Sequence, residues 1–169
     1  MSEPVLILMG SKNDWEFLRE TAAQLDTLGV SWRAHVASAH RSLARTLELV
    51  SKGEQDGVRV FVCGAGMAAH LAGVVAANTV RPVIGVPLPG GVGDGLDALL
   101  STVQMPGGVP VATVAVGKAG ARNAAILAAE IIALGDDTLA GRLRAGRAAQ
   151  AAAVAAADRE LSSGRGGSG

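Results

Sequence analysis

Ser38, Ala39, His40 and Arg41 bring a hydroxyl, an imidazole and a guanidinium together within four residues. A hydroxyl and a guanidinium can hold an oxyanion, and an imidazole carries a proton near neutral pH. The set suits proton transfer beside a bound anion. Its plain alternative is a helix start capped by Ser38, with Arg41 in solvent.

Three further segments have unusual residues. Gly10-Ser11-Lys12-Asn13-Asp14 offers free backbone N–H groups and the Ser11 hydroxyl, which favour an anion at a helix N-terminus. Asp14 would repel a phosphate there and suits sugar hydroxyls better. Asn13 or Asp14 serves equally as a simple N-cap. Gly64-Ala65-Gly66-Met67-Ala68-Ala69-His70 lets backbone approach a ligand, or else packs a helix closely. His70 is either a ligand contact or a satisfied, partly buried histidine. Pro87-Leu88-Pro89-Gly90-Gly91 makes the last segment, and Lys118 reads as a solvated lysine.

These segments need a scaffold that gathers them. Five apolar runs, Val5–Met9, Val30–Val36, Val58–Cys63, Pro82–Val86 and Pro110–Val116, alternate with helical stretches. Continuous Val, Ile and Leu runs suit strands covered on both faces, and the alternation predicts parallel βαβ units. Val30–Val36 alternates in character, as an edge strand does. A three-layer αβα sandwich with a five-stranded parallel sheet in the flavodoxin-like order 2-1-3-4-5 places it there. Every segment singled out above then follows the carboxyl end of a strand, where such sheets bind ligands.

Helical spacing runs from Trp15 to Leu28, stopped by Gly29, and from Leu43 to Val50, ending near Gly53. Ala119–Leu134 reads as an apolar helix. Residues 1–135 form one domain, followed by a helix over 136–161. Leu139, Leu143, Val154 and Leu161 make a stripe on it too thin for a core helix, which suits a neighbouring subunit. Residues 162–169 are Gly- and Ser-rich, and the composition predicts a disordered tail.

Composition narrows the chemistry. Fifteen Lys and Arg balance fifteen Asp and Glu, so no basic surplus exists for general binding to nucleic acid or an acidic membrane. Two Phe and two Trp are too few for stacking single-stranded bases. One cysteine excludes an intrachain disulfide, and three histidines show no metal-ligand spacing. Gly64-x-Gly66-x-x-Ala69 imitates a dinucleotide fingerprint, but no Asp or Glu occurs from Phe61 through Gly93 to hold a ribose, so the NAD reading fails. A His-centred acid–base site without metal or cofactor remains. The start has no signal-peptide pattern and no run is long enough for a membrane span, so a soluble cytoplasmic protein is expected.

Five collinear motifs strengthen that reading: Met9 to Trp15, Ser38 to Arg41, Ala65 to Leu71, Pro82 to Pro87 and Leu99 to Pro106. From Val5 to about Leu134 the chain resembles the N5-carboxyaminoimidazole ribonucleotide mutases, the class I PurE family of purine biosynthesis. The resemblance implies a cofactor-free shift of a carboxyl group from the exocyclic nitrogen to ring carbon C4 of an aminoimidazole ribonucleotide. It makes His40 the proton carrier. Ser11, Ser38 and Arg41 would hold the 5′-phosphate, with Gly10, Asn13 and Ala39 in the same substrate site, and Asp14 the ribose hydroxyls. Gly66 to Leu71, including Ala68, His70 and Leu71, would line the carboxylate and CO2 pocket.

The chain also departs from that pattern. Asn13 stands where the family usually has Ser, Met67 at a Gly or Arg position, and Ala72 in place of the usual Pro. Pro87 to Asp94 replaces the common Pro-Val-Gln/Glu-Ser stretch. A direct carboxylase using CO2 is the alternative reading, but its Ser-Ala-His-Lys and Arg-Ser-Asn marks are absent. A non-catalytic ribonucleotide-binding module is a third possibility, disfavoured by His40 standing within a complete anion-site motif. The resemblance further implies a homo-octamer, with the C-terminal helix on a neighbour, and a functional link to an ATP-dependent carboxylating synthetase.

Overall fold

A computed structural model of the protein describes residues 3–164. Five strands, β1 (Val5–Met9), β2 (Trp32–Val36), β3 (Val60–Ala65), β4 (Val83–Pro87) and β5 (Ala112–Thr113), form one parallel sheet in the order β2-β1-β3-β4-β5. This is the expected flavodoxin-like order, and the alternating strand β2 does lie at an edge.

β1 shows why the sheet is sandwiched. All five of its residues are buried. Val5, Ile7 and Met9 join a core with α1 (Trp15–Thr27) and α5 (Gly117–Ala133), while Leu6 and Leu8 join a second with α2 (Leu43–Gln55) and α3 (Leu71–Ala76). The period-2 alternation of a strand thus feeds two helical layers. Each fully buried Leu or Val contributes about 1.5–3 kcal/mol, so the two cores account for most of the stabilising surface.

Small residues set the spacing between layers. On α5, Ala121, Ala124, Ala125, Ala128 and Ala129 are all fully buried, giving a smooth face that α1 can approach closely. There the buried Thr21 Oγ1 donates to the Ala121 carbonyl at 2.7 Å. Gly64, at the end of β3, supports Leu18 directly: a Cβ there would sit 2.6 Å from Leu18 Cδ1.

Two elements differ from the sequence expectation. β5 keeps only two paired residues, Ala112 and Thr113, of the Pro110–Val116 run. Pro110 cannot donate to a ladder, and the chain must leave the sheet early to enter α5. There Gly120 packs so tightly on the Ala115 carbonyl that no side chain would fit. In addition, α4 (Leu96–Val103) is a short helix that the apolar spacing does not reveal. Its Ala98 and Thr102 are buried, while Leu96, Leu100 and Val103 face outward.

The final helix, α6, spans Asp137–Gly164. It therefore includes residues 162–164 of the expected disordered tail; residues 165–169 lie outside the described residues. Its stripe divides in two. Leu139 is 1% exposed and Leu143 packs on the α1–α5 core, so these two serve their own chain. Val154 and Leu161 are 71% and 75% exposed. Among the described residues, no helix is long and apolar enough to cross a membrane.

Candidate active site

The carboxyl ends of β1, β2, β3 and β4 converge on one cleft of about 590 Å³. It sits beside the junction of β1 and β3, where the strand order changes direction. Open parallel sheets place their ligands at this point because adjacent loops diverge there. Gly10, Ser11, Asn13, Asp14, Ser38, Ala39, His40, Arg41, Gly66, Ala68, His70 and Leu71 all line the cleft, so these twelve candidates are brought to one place, while Ala69 of the Gly66–Leu71 stretch is buried beneath it.

The turn after β2 is built by hydrogen bonds from its own serines. Ala37 N–H donates to the Met9 carbonyl at 2.8 Å, anchoring the turn to the end of β1. Ser38 Oγ accepts from the Arg41 backbone N–H at 3.2 Å, and Ser42 Oγ accepts from Ser38 N–H at 3.0 Å. Ser38 therefore caps a tight turn, and the helix itself begins at Leu43 behind Ser42. Arg41 is exposed, as the capping reading has it, but its side chain is tethered. Its Nη2 donates to the Gly10 carbonyl at 3.2 Å, crossing from the β2 turn to the β1 turn. That bond orients the guanidinium along the rim of the cleft while its remaining donors stay available for an oxyanion.

In the β1 turn, Asp14 Oδ2 accepts from Ser11 N–H at 2.8 Å. Neither Asn13 nor Asp14 caps a helix with its side chain in the way expected from the sequence: Ser11 takes the N-cap place and Asp14 reaches back to it from the third position of the turn, with lone pairs left over for a ligand. Asn13 is exposed on the cleft.

The central contact joins two histidines thirty positions apart in sequence. His40 Nε2 and His70 Nδ1 lie 2.8 Å apart, with the rings edge-to-face at 84°. One nitrogen must donate and the other accept, so the pair shares a proton along a defined line. His70 is exposed, in contrast to the partly buried histidine that its sequence context favoured. Lys118 lies outside this cleft, and its Nζ is 4.0 Å from Glu16 Oε1, in keeping with a solvated lysine.

Ala65, Met67, Pro89, Gly90 and Gly91 also line the cleft; they stand in the segments picked out after β3 and β4, but apart from Met67, within the Gly66–Leu71 stretch, none was assigned to substrate. The glycine run after β4 was their visible signal. For Met67 the sequence does not announce the left-handed backbone, φ 55°.

Such a cleft, with an imidazole pair beside an anion-holding turn at the switch point of a flavodoxin-like sheet, is that of an α/β enzyme handling a small anionic substrate. The chain belongs to the AIR carboxylase family, whose model matches residues 4–153. It is 48% identical over 155 residues to the N5-carboxyaminoimidazole ribonucleotide mutase of Brucella melitensis, covering 92% of this chain and 96% of that protein. The mutase of Bacillus subtilis is 48% identical over 143 residues, with coverage of 85% and 88%. Among solved structures, PurE of Treponema denticola superposes with a TM-score of 0.86 at 28% identity, covering 93% of this chain and 97% of that one.

Proposed function

We propose that this enzyme converts N5-carboxyaminoimidazole ribonucleotide to 4-carboxy-5-aminoimidazole ribonucleotide in purine biosynthesis, with His40 as the proton carrier. The His40–His70 contact inside the cleft carries the mechanistic part of this reading. Relatives with close to half of their residues identical, named as this mutase, support the reaction class.

The chemistry is balanced by one group. The bond between the exocyclic nitrogen and the carboxyl carbon breaks, its electron pair stays on nitrogen, and protonated His40 supplies the proton. CO2 and aminoimidazole ribonucleotide are then held together. Ring carbon C4 attacks CO2, and His40 takes the C4 proton, which restores its starting state. His70 holds the imidazole in register for both transfers. The Gly66–Leu71 segment lines the CO2 side, where Gly66 and Ala68 leave room for the small molecule. Ser11, Ser38 and Arg41 hold the 5′-phosphate, and Asp14 holds the ribose.

The reading extends to assembly and setting. The enzyme works as a homo-octamer in the cytoplasm, fed by a synthetase that carboxylates the exocyclic amine at the expense of ATP. The exposed outer half of α6 supports the assembly. An absorbance assay tests the reaction. Product formed from N5-carboxyaminoimidazole ribonucleotide without bicarbonate is expected, and product formed only from aminoimidazole ribonucleotide with bicarbonate would instead define a direct carboxylase.

A further inference from the structure

We infer that Asp97 is a positioning residue, whose carboxylate holds the loop from Gly90 to Asp94 as a wall of bare backbone against which the substrate is seated. This rests on the mutase reading above. After β4 the chain runs along the cleft through Pro89, Gly90 and Gly91, which line it without presenting any polar side chain. What this wall offers is peptide N–H and C=O groups, and those are useful only if the loop is held still.

One side chain does most of the holding. Asp97 Oδ2 accepts from Val92 N–H at 3.0 Å, and Oδ1 accepts from Ala98 N–H at 2.8 Å. The same carboxylate thus joins the loop tip to the first turn of α4. Gly91 is shaped to receive it: φ is 76°, and a Cβ there would run into Asp97 Oδ2. Asp94 braces the loop from within, its Oδ1 accepting from Gly90 N–H at 3.2 Å while its own backbone is held at φ 51°. The base of α4 is firm, because Ala98 is fully buried.

The physical need follows from the composition. Gly90, Gly91, Gly93 and Gly95 all have positive φ, so a free loop here would sample many conformations. Substrate would then have to order the wall on binding, weakening ground state and transition state alike. Such a loss raises KM and leaves kcat almost unchanged.

The full-length protein tests this with Asp97→Ala, Asp97→Asn, Gly91→Ala and the Asp97→Ala/Gly91→Ala pair. Expected for Asp97→Ala is a KM for N5-carboxyaminoimidazole ribonucleotide raised about tenfold or more, with kcat within about twofold. Asp97→Asn keeps an acceptor oxygen and falls between. Gly91→Ala raises KM as well, and the pair is no worse than the weaker single by more than about twofold, since both break one contact. An unchanged KM, a fall in kcat at constant KM, or additive effects would overturn the assignment. Amide exchange of the peptide from Leu88 to Leu96, read by mass spectrometry without substrate, probes the loop independently of activity. Faster exchange in Asp97→Ala with an unchanged melting temperature supports it, and unchanged exchange overturns it even if the mutase assay is silent.

Discussion

Two imidazoles in contact make a narrower chemical statement than either alone. Because His40 Nε2 faces His70 Nδ1 at 2.8 Å, the ring of His40 is oriented by a partner and not by solvent. On the proposed mechanism His40→Asn removes the proton carrier, and turnover is expected to fall about 10²-fold or more in the absorbance assay. His70→Asn keeps a side chain able to hydrogen-bond, so a smaller loss is expected, about tenfold, mainly in kcat. Both histidines were visible in the sequence as candidates. Their meeting was not, since it depends on how far the turns after β2 and β3 lean toward each other. Arg41 was legible as a candidate for holding an anion, whereas its bond to the Gly10 carbonyl was not.

At the scale of elements, β3 shows how tightly the site is backed. Gly64 leaves no room for a methyl group against Leu18, which itself is fully buried. Gly64→Val is expected to cost about 1–3 kcal/mol by overpacking, seen as a lower midpoint in urea unfolding. Next to it, Cys63 is 2% exposed, and burial pushes its thiol well above the ordinary range. A buried neutral thiol is a poor nucleophile. Cys63 should therefore resist Ellman's reagent at pH 8 in the folded protein and react fully in denaturant; rapid labelling of the folded protein would show that β3 opens readily. Strand positions were legible because buried parallel strands are nearly continuous apolar runs. The ends of β5 and the existence of α4 were not, because the pairing partner and the outward face of a short helix leave no periodic mark.

For the whole molecule, the outer half of α6 is the feature without an intrachain explanation. Leu139 and Leu143 close the α1–α5 core, but Val154 and Leu161 lie open, and α4 adds the exposed Leu96, Leu100 and Val103. Such apolar surface is costly in water and is normally covered. If the protein forms the proposed octamer, Val154→Glu with Leu161→Glu is expected to lower it to a smaller species by light scattering, with the monomer fold intact by circular dichroism. An octamer that survives both changes would mean that α6 does not join subunits. Truncation at residue 136 would be a poorer test, since it also removes Leu139 from the core.

By itself the sequence determined the strand order and which loops meet at the cleft. Those depend on local signals: apolar runs of strand length, helical spacing between them, and chemistry-bearing residues just after each strand. Tertiary structure alone decided the contacts across the cleft. The His40–His70 pair, the Arg41 bridge to Gly10 and the seat of Asp97 on Gly91 join loops whose relative placement is set by helix packing and sheet twist. No local pattern encodes a distance of 2.8 Å between side chains thirty residues apart; layers of packed Ala, Leu and Val fix it.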